Sequence, residues 1–205
     1  MAHPLASLLD THTITALHDA ATGHWHTRIA AEDPERDFLS VIRAQHQANF
    51  ELWHLEDEAR APQATDREIV EVKQGIDRVN QRRNNLMERC DALLLEALGQ
   101  HGLPAPAVPL HSETPGMILD RLSILSLKIF HTREETQRAG APEGHARKNQ
   151  HRLRLLEEQR SDLATCLDQL WEQIIEGKRR FKLYHQLKMY NDPSLNPAVY
   201  KKTQP

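Results

Sequence analysis

Apolar residues recur three and four positions apart along most of the chain, the spacing of helices that bury one face. No segment alternates apolar and polar residues in the way that a half-buried strand requires. The pattern predicts an all-α fold, an antiparallel helical bundle of five to six helices with a basic aromatic C-terminal tail. The predicted helices cover residues 5–21, 34–60, 65–99, 114–138 and 142–176.

The segment 114–131, TPGMILDRLSILSLKIFH, is apolar on nearly every side, which is typical of a helix packed on two faces. Thr114 is suited to cap its start, and Pro115 is suited to its first position. Asp120 and His131 lie on one of its apolar sides. Because a buried carboxylate or imidazole is costly without a partner, this segment predicts the central helix of a bundle with a polar interior.

A chain of 205 residues can bury one sizeable core, so we expect a single domain over 1–205. We expect the first helix to end at Gly23 and the fifth at Gly177. The expected parts are an N-terminal helix with a junction, a core bundle and a C-terminal tail, over 1–33, 34–177 and 178–205.

The net charge of −3 gives no electrostatic reason to expect nucleic acid as a partner. No apolar run approaches the length of a membrane-spanning helix, and the N-terminus lacks the features of a signal peptide. Cys90 and Cys166 fall in helical patterns without metal-ligand spacing, so we expect small buried thiols in a reducing compartment. The composition therefore predicts a soluble, cytoplasmic protein.

Arg83 and Arg160 fall within the apolar faces of the third and fifth predicted helices. An arginine cannot lose its charge, so a buried one needs a carboxylate or an anionic ligand. In one interpretation, Glu56 and Asp120 pair with the two arginines and fix the register of the helices. In the other, both arginines face the phosphate or carboxylate of a ligand in a cleft.

The histidines His46, His54 and His131 form a second candidate set. Glu51 and His54 have the Glu-x-x-His spacing of di-iron helical bundles. A di-iron site needs a second copy of this motif and further carboxylates, and the sequence offers no second copy that faces a core. We therefore predict neither a metal site nor a cofactor, and we expect a solvated or interface face at these positions.

Acid–base chemistry is a third candidate function. Asp120, His131 and Glu56 are the candidate catalytic residues, and Lys128 precedes His131 on the same predicted helix. The alternative is a lysine that extends to the surface and a histidine that is bonded to a carboxylate. The choice depends on an open pocket beside these groups, which a sequence does not reveal.

The segment KRRFKLYHQLKMY over 178–190 is basic and aromatic. It predicts either a grip on a phosphate-bearing ligand or nucleic acid, or a segment, with a further short helix, that docks across the bundle. The overall negative charge argues against nucleic acid, and docking is the preferred interpretation.

Several long motifs together resemble a bacterial all-α family labelled as a domain of unknown function (number 4254). They are WHLEDEAR at 53–60, IDRVNQRRNNLME at 76–88, SETPGMILDRLSILSLKIFH at 112–131, EEQRSDL at 157–163 and LKMYNDPSLNP at 187–197. Asn85 departs from the family pattern, in which an aspartate is expected. The resemblance places motif residues, which with Arg160 are the candidate site residues, at His54, Glu56, Asp57, Arg60, Asp77, Asn80, Arg83, Asp120, Arg121, Lys128, His131, Lys188, Tyr190, Asn191 and Asp192.

The resemblance implies no established activity. The resemblance implies that the genes of family members accompany glycosyltransferase genes for surface polysaccharide. We therefore expect an accessory or binding protein of bacterial surface-glycan assembly that holds a phosphate- or nucleotide-bearing ligand, such as a nucleotide sugar. A glycosyltransferase partner and a homodimer belong to this hypothesis. The alternatives are an enzyme that uses buried acid–base groups and a structural or interaction protein whose ion network specifies the bundle.

Overall fold

The computed structural model describes residues 3–28, 35–186 and 194–195. Within these residues the chain forms helices and no strand, which confirms the predicted all-α fold. The helices are α1 (Thr11–Trp25), α2 (Phe38–Glu58), α3 (Asp66–Gly99), α4 (Pro115–Thr136) and α5 (His145–Ile175).

Helices α3 and α4 begin directly after residues 65 and 114, where the predicted helices start. The Thr65 side chain accepts a hydrogen bond from the backbone N–H of Glu68, whose carboxylate accepts one from the backbone N–H of Thr65 in return. The Thr114 hydroxyl accepts from the backbone N–H of Met117 at 3.2 Å, and Pro115 occupies the first turn of α4. These side chains satisfy backbone donors that have no partner within the helix.

The predicted ends of α1 are wrong. The helix begins at Thr11 because the Asp10 carboxylate accepts from the backbone N–H of Thr13. It continues through Gly23 to Trp25, whose buried indole packs against the bundle. A glycine inside a helix costs only about 1 kcal/mol, so the packing of a large aromatic side chain outweighs it.

The starts of α2 and α5 are also later than predicted. Asp37 and Ser40 cap α2 reciprocally, so the helix begins at Phe38, and the predicted start at Pro34 lies outside the described residues. Gly144 has a φ of 78°, which places it outside the helical region and starts α5 at the next residue. Gly177, with a φ of 68°, follows the last helical turn as predicted.

Helix α4 is the centre of the bundle, since it contacts all four other helices. The most extensive pairings are α2 with α3 and α4 with α5, and α1 packs against α2, α4 and α5. The core between them is aliphatic. Its fully buried side chains include Ile42, Leu94, Leu98, Leu119, Leu122, Leu167 and Ile174.

Helices α3 and α4 meet at Gly116. Its backbone N–H donates to the buried Asp91 carboxylate at 2.7 Å. A Cβ atom at this position would lie 2.5 Å from the backbone oxygen of Met87, so glycine is required by the close approach of the two helices. Burial raises the pKa of Asp91 to about 6, although the hydrogen bonds from Thr114 and Gly116 oppose that rise.

The predicted further helix in the tail is wrong over the described part, 178–186, which is not helical. The tail instead pairs with the α3–α4 connection, where the backbone N–H of His111 donates to the Arg180 carbonyl at 2.8 Å. Phe181 is fully buried and His185 bonds to Glu88 on α3, so this part of the tail docks across the bundle. Four predicted site residues lie outside the described residues, namely Lys188, Tyr190, Asn191 and Asp192.

The two cysteines have different surroundings. Cys90 is buried in the core as predicted, and burial raises the pKa of its thiol. The prediction for Cys166 is wrong, because its thiol is exposed on α5. In the part of the chain that the structure describes, no helix has both the length and the apolar character needed to cross a membrane.

Candidate functional site

A cleft of about 500 Å³ lies between α2, α3 and α4. It brings together several predicted motif residues that are distant in sequence, with carboxylate, amide and guanidinium groups on one surface. Apolar side chains form the rest of the wall. The lining residues are Asn49, Leu52, Trp53, Glu56, Asp57, Arg60, Ile76, Asn80, Arg83, Ile124 and Leu127.

Helical periodicity explains how these residues reach one surface. On α2, Asn49, Trp53 and Glu56 are separated by four and three positions, so their side chains share one face, and Arg60 follows in the turn after the helix. Helix α3 contributes residues with the same separations, and α4 contributes two apolar residues. The lining residues of α3 and α4 are Ile76, Asn80, Arg83, Ile124 and Leu127.

Arg83 forms the base of the cleft and pairs with the buried Asp120, which does not itself line the cleft. The Arg83 Nε donates to Asp120 Oδ1 at 2.7 Å, and its Nη2 donates to Oδ2 of the same carboxylate. The side-chain amides of Gln45 and Asn49 also donate to Asp120 Oδ1. The Asp120 carboxylate accepts these four hydrogen bonds in surroundings nearly free of water, since the residue is only 5% exposed.

This network favours a structural role for Asp120. The hydrogen bonds to Asp120 raise the pKa of Arg83, so the guanidinium group stays charged. Because four donors occupy the Asp120 oxygens, the carboxylate is poorly placed to accept a proton from a substrate. The geometry thus agrees with the interpretation in which Asp120 pairs with Arg83 and fixes helix register.

The rim of the cleft is more accessible than its base. Arg60 pairs with Glu56 at 2.9 Å, and the Arg60 side chain is 69% exposed. Asp57 is exposed beside them. The side-chain oxygen of Asn80 accepts a long hydrogen bond of 3.4 Å from Arg83 Nη1. The rim therefore carries both signs of charge, and its polar groups can exchange partners at low cost.

The structure does not bring Arg160 to this cleft. Its Nη1 bonds to Asp19 on α1 at 2.6 Å and to the Ser126 hydroxyl at 3.3 Å. The predicted pairing of Arg160 with Glu56 or Asp120 is wrong, because α1 covers α5 where the sequence pattern gave no sign of a partner. Glu56 pairs with Arg60 instead.

Other predicted residues lie elsewhere on the surface. Arg121 and Lys128 line a second cleft, of about 630 Å³, between α4 and α5, where Cys166 also lies. Arg121 is paired with Glu113 at 2.7 Å. Asp77 is exposed on α3 and is not among the residues that line either cleft.

His54 and His131 meet beside the cleft rather than inside it. His131 stacks on Trp53 with ring centroids 4.6 Å apart, and Trp53 is the residue that also lines the cleft. His26, at the end of α1, contacts both histidines. Sequence reasoning missed His26 because α1 approaches α2 and α4 through tertiary packing, for which helical spacing carries no signal.

His46 lies in the interior and lines neither cleft. Its ring nitrogens bond to the hydroxyls of Thr22 and Ser123 at 2.8 and 2.7 Å, and the ring packs against His18. Burial lowers the pKa of His46 to about 3, and it also lowers the pKa of His18 well below its ordinary value. Both imidazoles are therefore neutral at physiological pH.

Comparison with known proteins agrees with the motif resemblance. A family model matches residues 39–183, which hold nearly all of α2, the whole of α3 to α5 and every residue that lines the cleft. No curated protein and no solved structure matches the chain. Because the matched segment covers more than half of the chain, the protein belongs to the family described as "Protein of unknown function (DUF4254)".

Proposed function

We propose that this protein binds a hydroxyl-bearing ligand with an anionic group, such as a phosphorylated or nucleotide-linked sugar, in the cleft between α2, α3 and α4. In this role it serves as an accessory protein of surface-glycan assembly. The observation that carries the proposal is the convergence onto one cleft of Glu56, Asp57, Arg60, Asn80 and Arg83, which come from α2, the turn that follows it and α3.

The chemistry of the cleft supports a ligand of this class. Carboxylates and amides accept hydrogen bonds from hydroxyls, while guanidinium groups donate to phosphate oxygens in a planar, paired geometry. Trp53, Leu52 and Ile124 supply apolar surface for the less polar face of a sugar or base. The volume of about 500 Å³ falls within the usual range for small-molecule sites.

The charges in the cleft define how an anion would bind. Asp120 already neutralises Arg83, so Arg60 is the guanidinium group that can change partners. Its ion pair with Glu56 is largely exposed and is worth less than about 1 kcal/mol. A phosphate group would therefore displace Glu56 from Arg60, and the released carboxylate would accept a ligand hydroxyl.

Binding is tested by calorimetric titration and thermal shift with nucleotide sugars, sugar phosphates, neutral sugars and inorganic phosphate. The test variant is Arg60→Gln, and Arg67→Gln is the matched control, since Arg67 has an equivalent exposed pair with Glu71 outside the cleft. We expect Arg60→Gln to weaken binding by about tenfold and Arg67→Gln to leave it unchanged. Failure of every compound, or an equal effect of both variants, contradicts the proposal.

A second pair of variants tests the cleft without changing a charge. Asn80→Ala removes a lining amide, while Asn85→Ala removes an exposed amide of the same helix that lies outside the cleft. We expect weaker binding for the first variant and wild-type binding for the second.

A glycosyltransferase partner, a homodimer and a cytoplasmic location complete the proposed role. The free thiols of Cys90 and Cys166 support a reducing compartment. Co-purification with a glycosyltransferase encoded nearby, lost on substitution of Arg60 or Asn80, would support coupling between ligand binding and the partner.

The structural alternative is favoured by one specific observation, the complete set of donors around Asp120. In that case the ion network specifies helix register and the rim has no ligand. Thermal shift distinguishes the two functions, since a purely structural protein shows no stabilisation by any compound in the panel.

A further inference from the structure

Three histidines from three helices converge beside Trp53. His26 ends α1, His54 belongs to α2 and His131 belongs to α4. One ring nitrogen from each lies within 4.8 Å of the other two. The cleft proposed above does not explain this convergence, since none of the three side chains lines it.

The second nitrogen of two of these rings is already occupied. His26 Nδ1 lies 2.8 Å from the backbone carbonyl of Thr22, and His131 Nδ1 lies 3.1 Å from the Glu134 carboxylate. In both contacts the ring nitrogen donates, so the proton of the neutral imidazole resides on Nδ1. The lone pair is then on Nε2, which is the arrangement of histidines that bind metal ions.

The Nε2 of His131 is buried and has no hydrogen-bond partner among the described residues. A buried polar atom without a partner carries a cost of about 1–3 kcal/mol. Stacking of the His131 ring on Trp53 does not remove this cost. The stacking contact uses the face of the imidazole, whereas the Nε2 lone pair lies in the plane of the ring. A metal ion between the three rings would satisfy it.

The electrostatic surroundings favour a cation. Asp57, Glu58 and Glu134 are close enough to affect the charge state of His54. His26 caps the C-terminus of α1, where the helix dipole also attracts positive charge. Burial and the neighbouring rings lower the pKa values of His54 and His131, so both are neutral and able to bind a metal at physiological pH.

We propose that His26, His54 and His131 bind a divalent transition-metal ion, with zinc as the best match to three neutral imidazoles. Nitrogen ligands of tetrahedral zinc lie about 3.3 Å from one another, so the three ring nitrogens, which lie within 4.8 Å of one another, would draw closer around the ion. Three protein ligands leave a fourth position for water or an exogenous ligand. Glu134 acts as a positioning residue that orients His131 through its Nδ1.

The test uses the metal-free, full-length chain without an affinity tag. Calorimetric titration with Zn²⁺ measures affinity and stoichiometry, and titration with Co²⁺ reports tetrahedral coordination through its visible absorption. We expect one bound ion per chain. Binding should weaken as the pH falls, because protons compete for the same nitrogens.

His26→Ala is the first variant, since His26 is exposed and does not belong to the hydrophobic core. His24→Ala is the matched control, an exposed histidine of α1 outside the cluster. We expect His26→Ala to weaken zinc binding by at least about 100-fold and to abolish the tetrahedral Co²⁺ spectrum, while His24→Ala changes neither.

Glu134→Gln separates a metal site from ordinary packing. It keeps the shape of the side chain and should weaken zinc binding by about tenfold without changing helical content by circular dichroism. Absence of zinc binding by the wild-type chain overturns the proposal. Equal affinities of the wild type and of folded His26→Ala overturn it as well.

Discussion

Two polar regions of the bundle differ in how completely their atoms are bonded. Around Asp120, side chains of α2, α3 and α4 form a network of charge-assisted hydrogen bonds, in which Gln45 Oε1 is the one buried atom without a partner among the described residues. Around His18, Trp25 and His131, several buried ring nitrogens have no partner among the described residues. A network whose polar atoms are bonded stabilises one arrangement of helices. Buried donors and acceptors without partners either bind a ligand or ion or lower the stability of the fold.

The largest expected effect comes from breaking the network around Asp120. Asp120→Ala leaves the Arg83 charge partly buried without a counterion and should destabilise the protein by about 3 kcal/mol in urea unfolding. The double variant Arg83→Met with Asp120→Leu should recover at least half of this loss, because no unpaired charge remains. A loss below about 1 kcal/mol for Asp120→Ala would show that the network is not structural.

The second prediction concerns the other buried carboxylate, Asp91, at the contact between α3 and α4. Gly116→Ala forces a Cβ atom against the Met87 backbone and the Asp91 carboxylate, and should cost about 2–3 kcal/mol of unfolding free energy. The control is Gly23→Ala in α1, where no neighbouring atom lies within 4 Å. That change should stabilise the protein by about 0.5–1 kcal/mol. Equal effects would contradict the close approach of the two helices.

The third prediction uses pH on the two buried histidines, the fully bonded His46 and the unpartnered His18. The folded-state pKa of His46 is about 3, below its ordinary value of 6.5, so the unfolded chain binds a proton that the folded chain excludes. Stability is therefore complete above pH 6.5 and falls as the pH decreases, by about 2 kcal/mol at pH 5 from His46. His18, which packs against His46 with Arg160 nearby, contributes a loss of the same sign.

The contribution of His18 is measured by substitution. His18→Leu removes a ring that makes no hydrogen bond in the described structure, so stability at pH 7 should change little and the loss between pH 7 and 5 should shrink. His12→Leu, at an exposed position of the same helix, should keep the wild-type pH dependence. Asp91 has a raised pKa, so its protonation stabilises the folded protein as the pH falls, which is opposite in sign to the effect of the histidines. This contribution is the same in both variants and cancels when their pH profiles are compared. Identical pH profiles for the two variants would contradict this account.

The smallest expected effect on stability lies at the rim of the cleft. Arg60→Gln removes an exposed ion pair and should change the unfolding free energy by less than about 0.5 kcal/mol. A larger loss in urea unfolding would place Arg60 in the scaffold and remove the distinction between rim and base.

The sequence was sufficient for the elements whose signals are local. Apolar periodicity placed the helices, and Thr114 and Pro115 marked the start of α4, which the structure confirms. The two-sided apolar character of 114–131 also predicted the central position of α4. These signals are read within one helix, where spacing determines which side chains share a face.

The remaining features depend on contacts between distant segments. Helical spacing placed Arg83 and Arg160 in equivalent positions, yet their partners are Asp120 on α4 and Asp19 on α1. His26 joins His54 and His131 because α1 crosses α2 and α4, and a one-helix pattern contains no trace of that crossing. Motif resemblance supplied Glu56, Asp57, Arg60 and Asn80 as a group, which the fold gathers into one cleft.

Thermal unfolding of the wild type and Arg60→Gln, each with and without a nucleotide sugar, tests the central claim most directly. We predict equal melting temperatures without ligand, a clear rise for the wild type with ligand and a much smaller rise for Arg60→Gln. Equal rises in both proteins, or no rise for any compound tested, would contradict the assignment of the cleft as a ligand site.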